Sequence, residues 1–87
     1  MKIKKGFMLR EVAGNYVVVA VGEASKSFNG VINLNETGAF LWKKLAEGIE
    51  ENELVKQLLN EYEVSEEIAQ NDVKVFVNKL KEADILE

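Results

Sequence analysis

The sequence predicts an α+β fold, a three-stranded antiparallel sheet followed by three helices lying on one face of it. Three observations predict this. Residues 7–34 carry short apolar, β-branched runs separated by turn residues. From Asn35 onward the apolar period lengthens from two residues to about 3.6. The chain has 87 residues, 47% of them hydrophobic, and no proline, which suits one domain over residues 1–87 with a modest core.

The elements follow in order. Phe7 to Val12 is apolar with polar breaks, and Ala13-Gly14-Asn15 is a turn signal. Tyr16 to Val21 is rich in valine and ends at Gly22, so the two runs read as a β-hairpin. Glu23 to Lys26 is polar and reads as loop. Ser27 to Leu34 reads as a third strand, with Phe28 and Gly30 marking its start or a bend. Asn35 then suits a helix N-cap, its side-chain oxygen accepting from the backbone N–H of Thr37 or Gly38. Glu36 places a negative charge in the first turn, where the helix dipole favours it. Gly48 suits the stop.

A second helix is expected over about 52–62, with Leu54, Val55, Leu58, Leu59 and Tyr62 on one stripe and Asn52 as its cap. A third is expected over about 66–83, capped by Ser65, with Ala69, Val73, Phe76 and Leu80 on a narrow face. Ile85 and Leu86 close the core. The passage from Leu34 into the helix leaves almost no loop. Gly38 is expected to admit another backbone near the first turn, while Leu41, Trp42 and Leu45 bury against the sheet and the next helix. On its own terms this stretch is a fold-defining corner.

Composition narrows the chemistry. Cysteine and histidine are both absent, which removes disulfides, thiol nucleophiles, Cys/His zinc sites and imidazole acid–base catalysis. A chain this small has no room for a buried cofactor cavity beside a substrate pocket, and no cofactor or metal is expected. The remaining catalytic kit is carboxylates and lysines on amphipathic helices, where a solvated role is the default, so no enzyme is expected. The N-terminal stretch is basic but lacks a signal-peptide apolar core, and no run is long enough to span a membrane. A cytoplasmic protein with no membrane partner is expected. The net charge of −4 is split: residues 1–30 hold five cations against two anions, and the remainder is acidic.

Leu34-Asn35…Thr37-Gly38…Leu41-Trp42…Leu45, then Gly48, "LVKQLLNEY" and "DVKVFVNKLKEADIL" together resemble the PqqD-like family, also called RiPP recognition elements. The resemblance runs from the hairpin to the last leucine. One departure is visible: the family's usual glycine before the final apolar pair is Asp84 here. The resemblance implies a winged-helix-like fold of three strands and three helices. It implies a non-catalytic adaptor that binds the leader of a ribosomally made precursor peptide and presents it to a modifying enzyme, a radical SAM protein in the pyrroloquinoline quinone pathway. It also implies where the peptide goes: it adds as a fourth strand beside strand three, in the cleft against the third helix.

That mode is physically reasonable here, because an edge strand offers unpaired backbone groups and alternate side chains can enter a cleft. The candidate peptide-binding residues on the edge are Phe28, Gly30, Val31, Ile32, Asn33 and Leu34. On the third helix they are Ile68, Asp72, Val75, Phe76 and Lys79, one flank of the apolar face. The opposite flank, with Lys74, Val77 and Lys81, stays open as an alternative, although Ile68 and Val75 lie well off the core face and favour the first. Exposed single apolar residues are also ordinary. Read from the residues alone, without the resemblance, the favoured reading of the same edge is a plain edge strand or a homodimer seam. A winged-helix nucleic-acid binder is the other rival. It needs a basic recognition helix, and the third helix has Lys74, Lys79 and Lys81 against Glu66, Glu67, Asp72 and Glu82.

Overall fold

The hairpin is built from β1 (Phe7–Val12) and β2 (Asn15–Ala20), paired antiparallel from Phe7↔Ala20 to Val12↔Asn15. This is a computed structural model, and it describes residues 1–28 and 30–87. The two-residue loop has φ 52° at Ala13 and 81° at Gly14. Two consecutive positive φ values match the twist of a tight hairpin, and alanine is a strained choice for the first of them.

Strand β3 (Ile32–Leu34) pairs with β2 through Tyr16↔Leu34, Val17↔Asn33 and Val18↔Ile32, giving the sheet order β1-β2-β3. The expected strand over 27–34 is therefore shorter, and the part of that expectation at Asn29 lies outside the described residues. Phe28 leaves the ladder to meet Phe7 edge-on, ring centroids 5.4 Å apart. The expected loop at 23–26 is instead a single helical turn, α1 (Ala24–Ser27), in which the Ser25 hydroxyl donates to the Gly22 carbonyl at 2.6 Å. The helices thus number four among the described residues, not three.

Helix α2 (Glu36–Glu47) starts one residue after β3 ends. Its N-cap is Asn35, whose side-chain oxygen accepts from the Gly38 N–H at 2.8 Å. Gly48 stops the helix with φ 90°. Helix α3 (Glu51–Glu61) begins after Glu50, not at the expected cap Asn52. Glu50 makes no side-chain cap; its carboxylate takes the N-terminal ammonium at 2.9 Å. Helix α4 (Glu66–Glu82) is capped by Ser65, whose hydroxyl oxygen accepts from the Ile68 N–H at 3.2 Å.

Asp84 takes over the role a glycine would play. Its φ is 59°, the Ile85 N–H donates to the Leu80 carbonyl and the Asp84 N–H to that of Lys81, which together end α4 in a Schellman turn. Aspartate tolerates this left-handed conformation better than most residues, and its carboxylate meets Lys4 Nζ at 2.7 Å. The turn directs Ile85 and Leu86 inward, and Leu86 bridges Ile3 of the N-terminal segment.

The core is one cluster. Val18 of the sheet, Leu41, Trp42 and Leu45 of α2, Leu54 and Leu58 of α3, and Ala69, Val73, Phe76, Val77 and Leu80 of α4 are all buried in it. Helices on one face of a small antiparallel sheet make the architecture α+β and winged-helix-like. No helix among the described residues is long and apolar enough to cross a membrane.

Candidate peptide-binding cleft

Strand β3 lies at an edge of the sheet, so one side of its backbone has no strand partner among the described residues. The corner at Asn35 turns the chain so that β3 and the start of α2 form one wall of a cleft and α4 the other. The cleft holds about 420 Å³ and is lined by Asn33, Leu34, Asn35, Thr37, Gly38 and Leu41 on one side. Across it stand Asn71, Asp72, Val75, Phe76 and Lys79.

Gly38 sets how close the strand end comes to the helix. A Cβ there would lie 3.3 Å from Leu34 Cβ and 3.2 Å from the capping oxygen of Asn35. The expected approach of another backbone is thus an approach of the Leu34 side chain and the cap itself. A methyl group would press on the last strand residue and on the bond that starts the helix.

The α4 wall mixes chemistry along its length. Phe76 is 7% exposed and supplies a firm apolar floor, whereas Val75 is 60% exposed. Asp72 and Lys79 stand seven residues apart, about 10 Å along the axis at 1.5 Å per residue. Three residues of extended chain cover about the same distance, so the two charges bracket a length equal to β3. Neither forms an ion pair among the described residues. Asn33 and Asn71 add amide groups that can donate and accept. This arrangement can pair a backbone, bury an apolar side chain and read a charge at each end.

Six of the candidate residues come together here: Asn33, Leu34, Asp72, Val75, Phe76 and Lys79. Phe28, Gly30, Val31, Ile32 and Ile68 do not line the cleft, although Val31 and Ile68 are 55% and 51% exposed nearby in sequence. The alternative flank goes elsewhere. Val77 is fully buried in the core, Lys74 lines a hollow between α3 and α4, and Lys81 is an exposed residue in the last turn. Asn71 escaped the sequence reading, yet its spacing gave a signal: it lies three residues after Ile68 and four before Val75, on their stripe. Thr37 and Leu41 of the corner line the cleft as well. Among the described residues no cluster of acidic side chains could hold a metal ion.

Residues 7–86 match the family model of Coenzyme PQQ synthesis protein D (PqqD). The chain belongs to the PqqD family. Two solved structures share the PqqD fold seen here. One is TbiB1 in complex with the TbiA(beta) leader peptide, 23% identical, with a TM-score of 0.78 over 100% of this chain and 95% of that one. The other is lasso peptide synthetase B1 complexed with the leader peptide, 21% identical, with a TM-score of 0.73 over 97% of this chain and 93% of that one. None of the curated proteins matches the chain's sequence. Family membership agrees with the resemblance carried by the Leu34–Leu45 corner and the Asp72–Leu86 segment.

Proposed function

We propose that this chain is a non-catalytic adaptor that binds the leader of a ribosomally made precursor peptide and presents it to a modifying enzyme, such as a radical SAM protein, in the cytoplasm. The leader adds as a strand to β3 and lays side chains against α4. The observation that carries this reading is the unpaired β3 edge facing exposed Val75 across an open cleft. Membership of the PqqD family supports it, as do the two structural relatives, both of which hold a leader peptide.

Magnitudes say how the affinity divides. A three-residue edge offers about three backbone hydrogen bonds, each with a net value of about 1 kcal/mol. A micromolar complex needs about 8 kcal/mol. Most of the affinity must come from side chains entering the cleft, at about 25 cal/mol per Å² of apolar surface buried. Val75, Phe76 and Leu34 supply that surface, and Asp72 and Lys79 select the charges at the ends. Duplex binding is disfavoured, since α4 carries four carboxylates against three lysines.

An amide NMR titration with the leader of a short peptide encoded beside this chain tests the reading. Saturable shifts over residues 31–34 and 71–79, with the β1 edge unmoved, are expected. Shifts concentrated on β1 and the hairpin turn would overturn strand addition at β3.

A further inference from the structure

A second hollow, of about 440 Å³, opens on the other side of α2 and shares no residue with the cleft. Its walls are three half-buried aromatic rings, Tyr16 from β2, Phe40 from α2 and Tyr62 after α3. Phe40 and Tyr62 meet edge-on, centroids 5.6 Å apart at 85°, so their two ring planes stand nearly perpendicular in its wall. Glu36 and Glu61 stand at its rim, and neither forms an ion pair among the described residues. We propose that this hollow receives an arginine side chain from a protein partner other than the peptide in the cleft.

Aromatic faces attract cations through their quadrupole, and a guanidinium both stacks on a ring and forks onto carboxylates. Phe40 already shows this capacity, since Lys44 Nζ lies 5.5 Å from its ring centroid. Lys43 also lines the hollow, so the rim is not purely acidic. Its two carboxylates nonetheless outnumber the one ammonium. Burial first, then the carboxylates of Glu36 and Glu61, push the Tyr62 hydroxyl above its ordinary range, against the lowering effect of a hydrogen bond with Thr37. A docked arginine would balance the excess of negative charge. The two openings have separate linings, joined only where the Thr37 side chain of the cleft reaches the Tyr62 hydroxyl of the hollow. The arginine is therefore placed to bind beside a filled cleft, which is what a presenting adaptor requires, and only that last consequence rests on the function proposed above.

The test uses the whole chain and blocked amino acids, so it needs neither leader nor enzyme. Nα-acetyl-arginine methylamide is titrated at constant ionic strength while the aromatic ring resonances are followed by NMR. Saturable shifts of Tyr16, Phe40 and Tyr62 are expected, with half-saturation at about 10 mM, as suits one side chain without its protein. The blocked citrulline, equal in shape but uncharged, should bind at least about fivefold more weakly, and the blocked lysine less tightly than arginine. The Glu36→Gln/Glu61→Gln double variant should weaken arginine about threefold or more, while Val75→Asp in the cleft should leave it unchanged. Equal binding of citrulline, no ring shifts, or shifts spread evenly over the acidic helix surfaces would overturn the proposal. Loss of arginine binding in Val75→Asp would refute the independence of the two openings.

Discussion

Val75 and Val77 are the same residue, two positions apart on one helix, with opposite fates. Val77 is fully buried in the core, and Val75 is 60% exposed on the wall of the cleft. Two positions turn a helix by about 200°, so one flank of α4 packs into the core and the other lines the cleft. Nothing in the residue type distinguishes them. What separates them is the rotation of α4 about its own axis, fixed by Ala69, Val73, Phe76 and Leu80 against α2 and α3. An apolar side chain on the free flank costs solubility and gains nothing until something covers it.

That contrast can be tested in order of expected effect. Val77→Ala should lower folding stability by about 2 kcal/mol, because it opens a cavity in a fully packed site; the urea midpoint measures it. Val75→Asp should leave stability within about 0.5 kcal/mol, yet weaken leader binding at least about tenfold, equivalent to about 1.4 kcal/mol, by calorimetry. Equal destabilisation by the two would erase the difference between the flanks. Asn35→Ala should cost about 1 kcal/mol of stability through the lost cap, and should also weaken binding as the β3–α2 corner loosens. If neither quantity moved, the stiff corner would have no part in holding the cleft open. Ala13→Asn should raise stability by about 0.5 kcal/mol by suiting the positive φ of the hairpin turn. Its affinity should not change, which separates general stability from the cleft.

The helices were legible because their signals are local. Asn35 and Ser65 cap where a side-chain oxygen precedes an apolar period. Asn52 misled because the cap lies two residues earlier, at Glu50, whose carbonyl accepts from the Leu54 N–H while its carboxylate takes the N-terminal ammonium, so no side-chain cap marks the start. The turn at Ala24–Ser27 has no apolar face to announce it, and is held by Gly22 and the Phe7–Phe28 contact. Strand β3 is shorter than the run that announced it, and Phe28 packs edge-on against Phe7, a contact between residues too far apart for a local signal. Of the cleft, the two walls could be read from the family pattern, and the stripe of Ile68, Asn71 and Val75 was present in the spacing. Which flank faces β3 could not be read, because it depends on tertiary packing that no window of sequence contains.

The two ends of the chain are knotted to one another by backbone bonds: Lys4 N–H to the Ile85 carbonyl at 2.8 Å, and Glu87 N–H to the Lys2 carbonyl at 2.9 Å. A fluorophore, an affinity handle or a fused enzyme therefore departs from one spot whichever terminus carries it. Closing residue 87 onto residue 1 through a few glycines should yield a circle or a permutant with unchanged architecture.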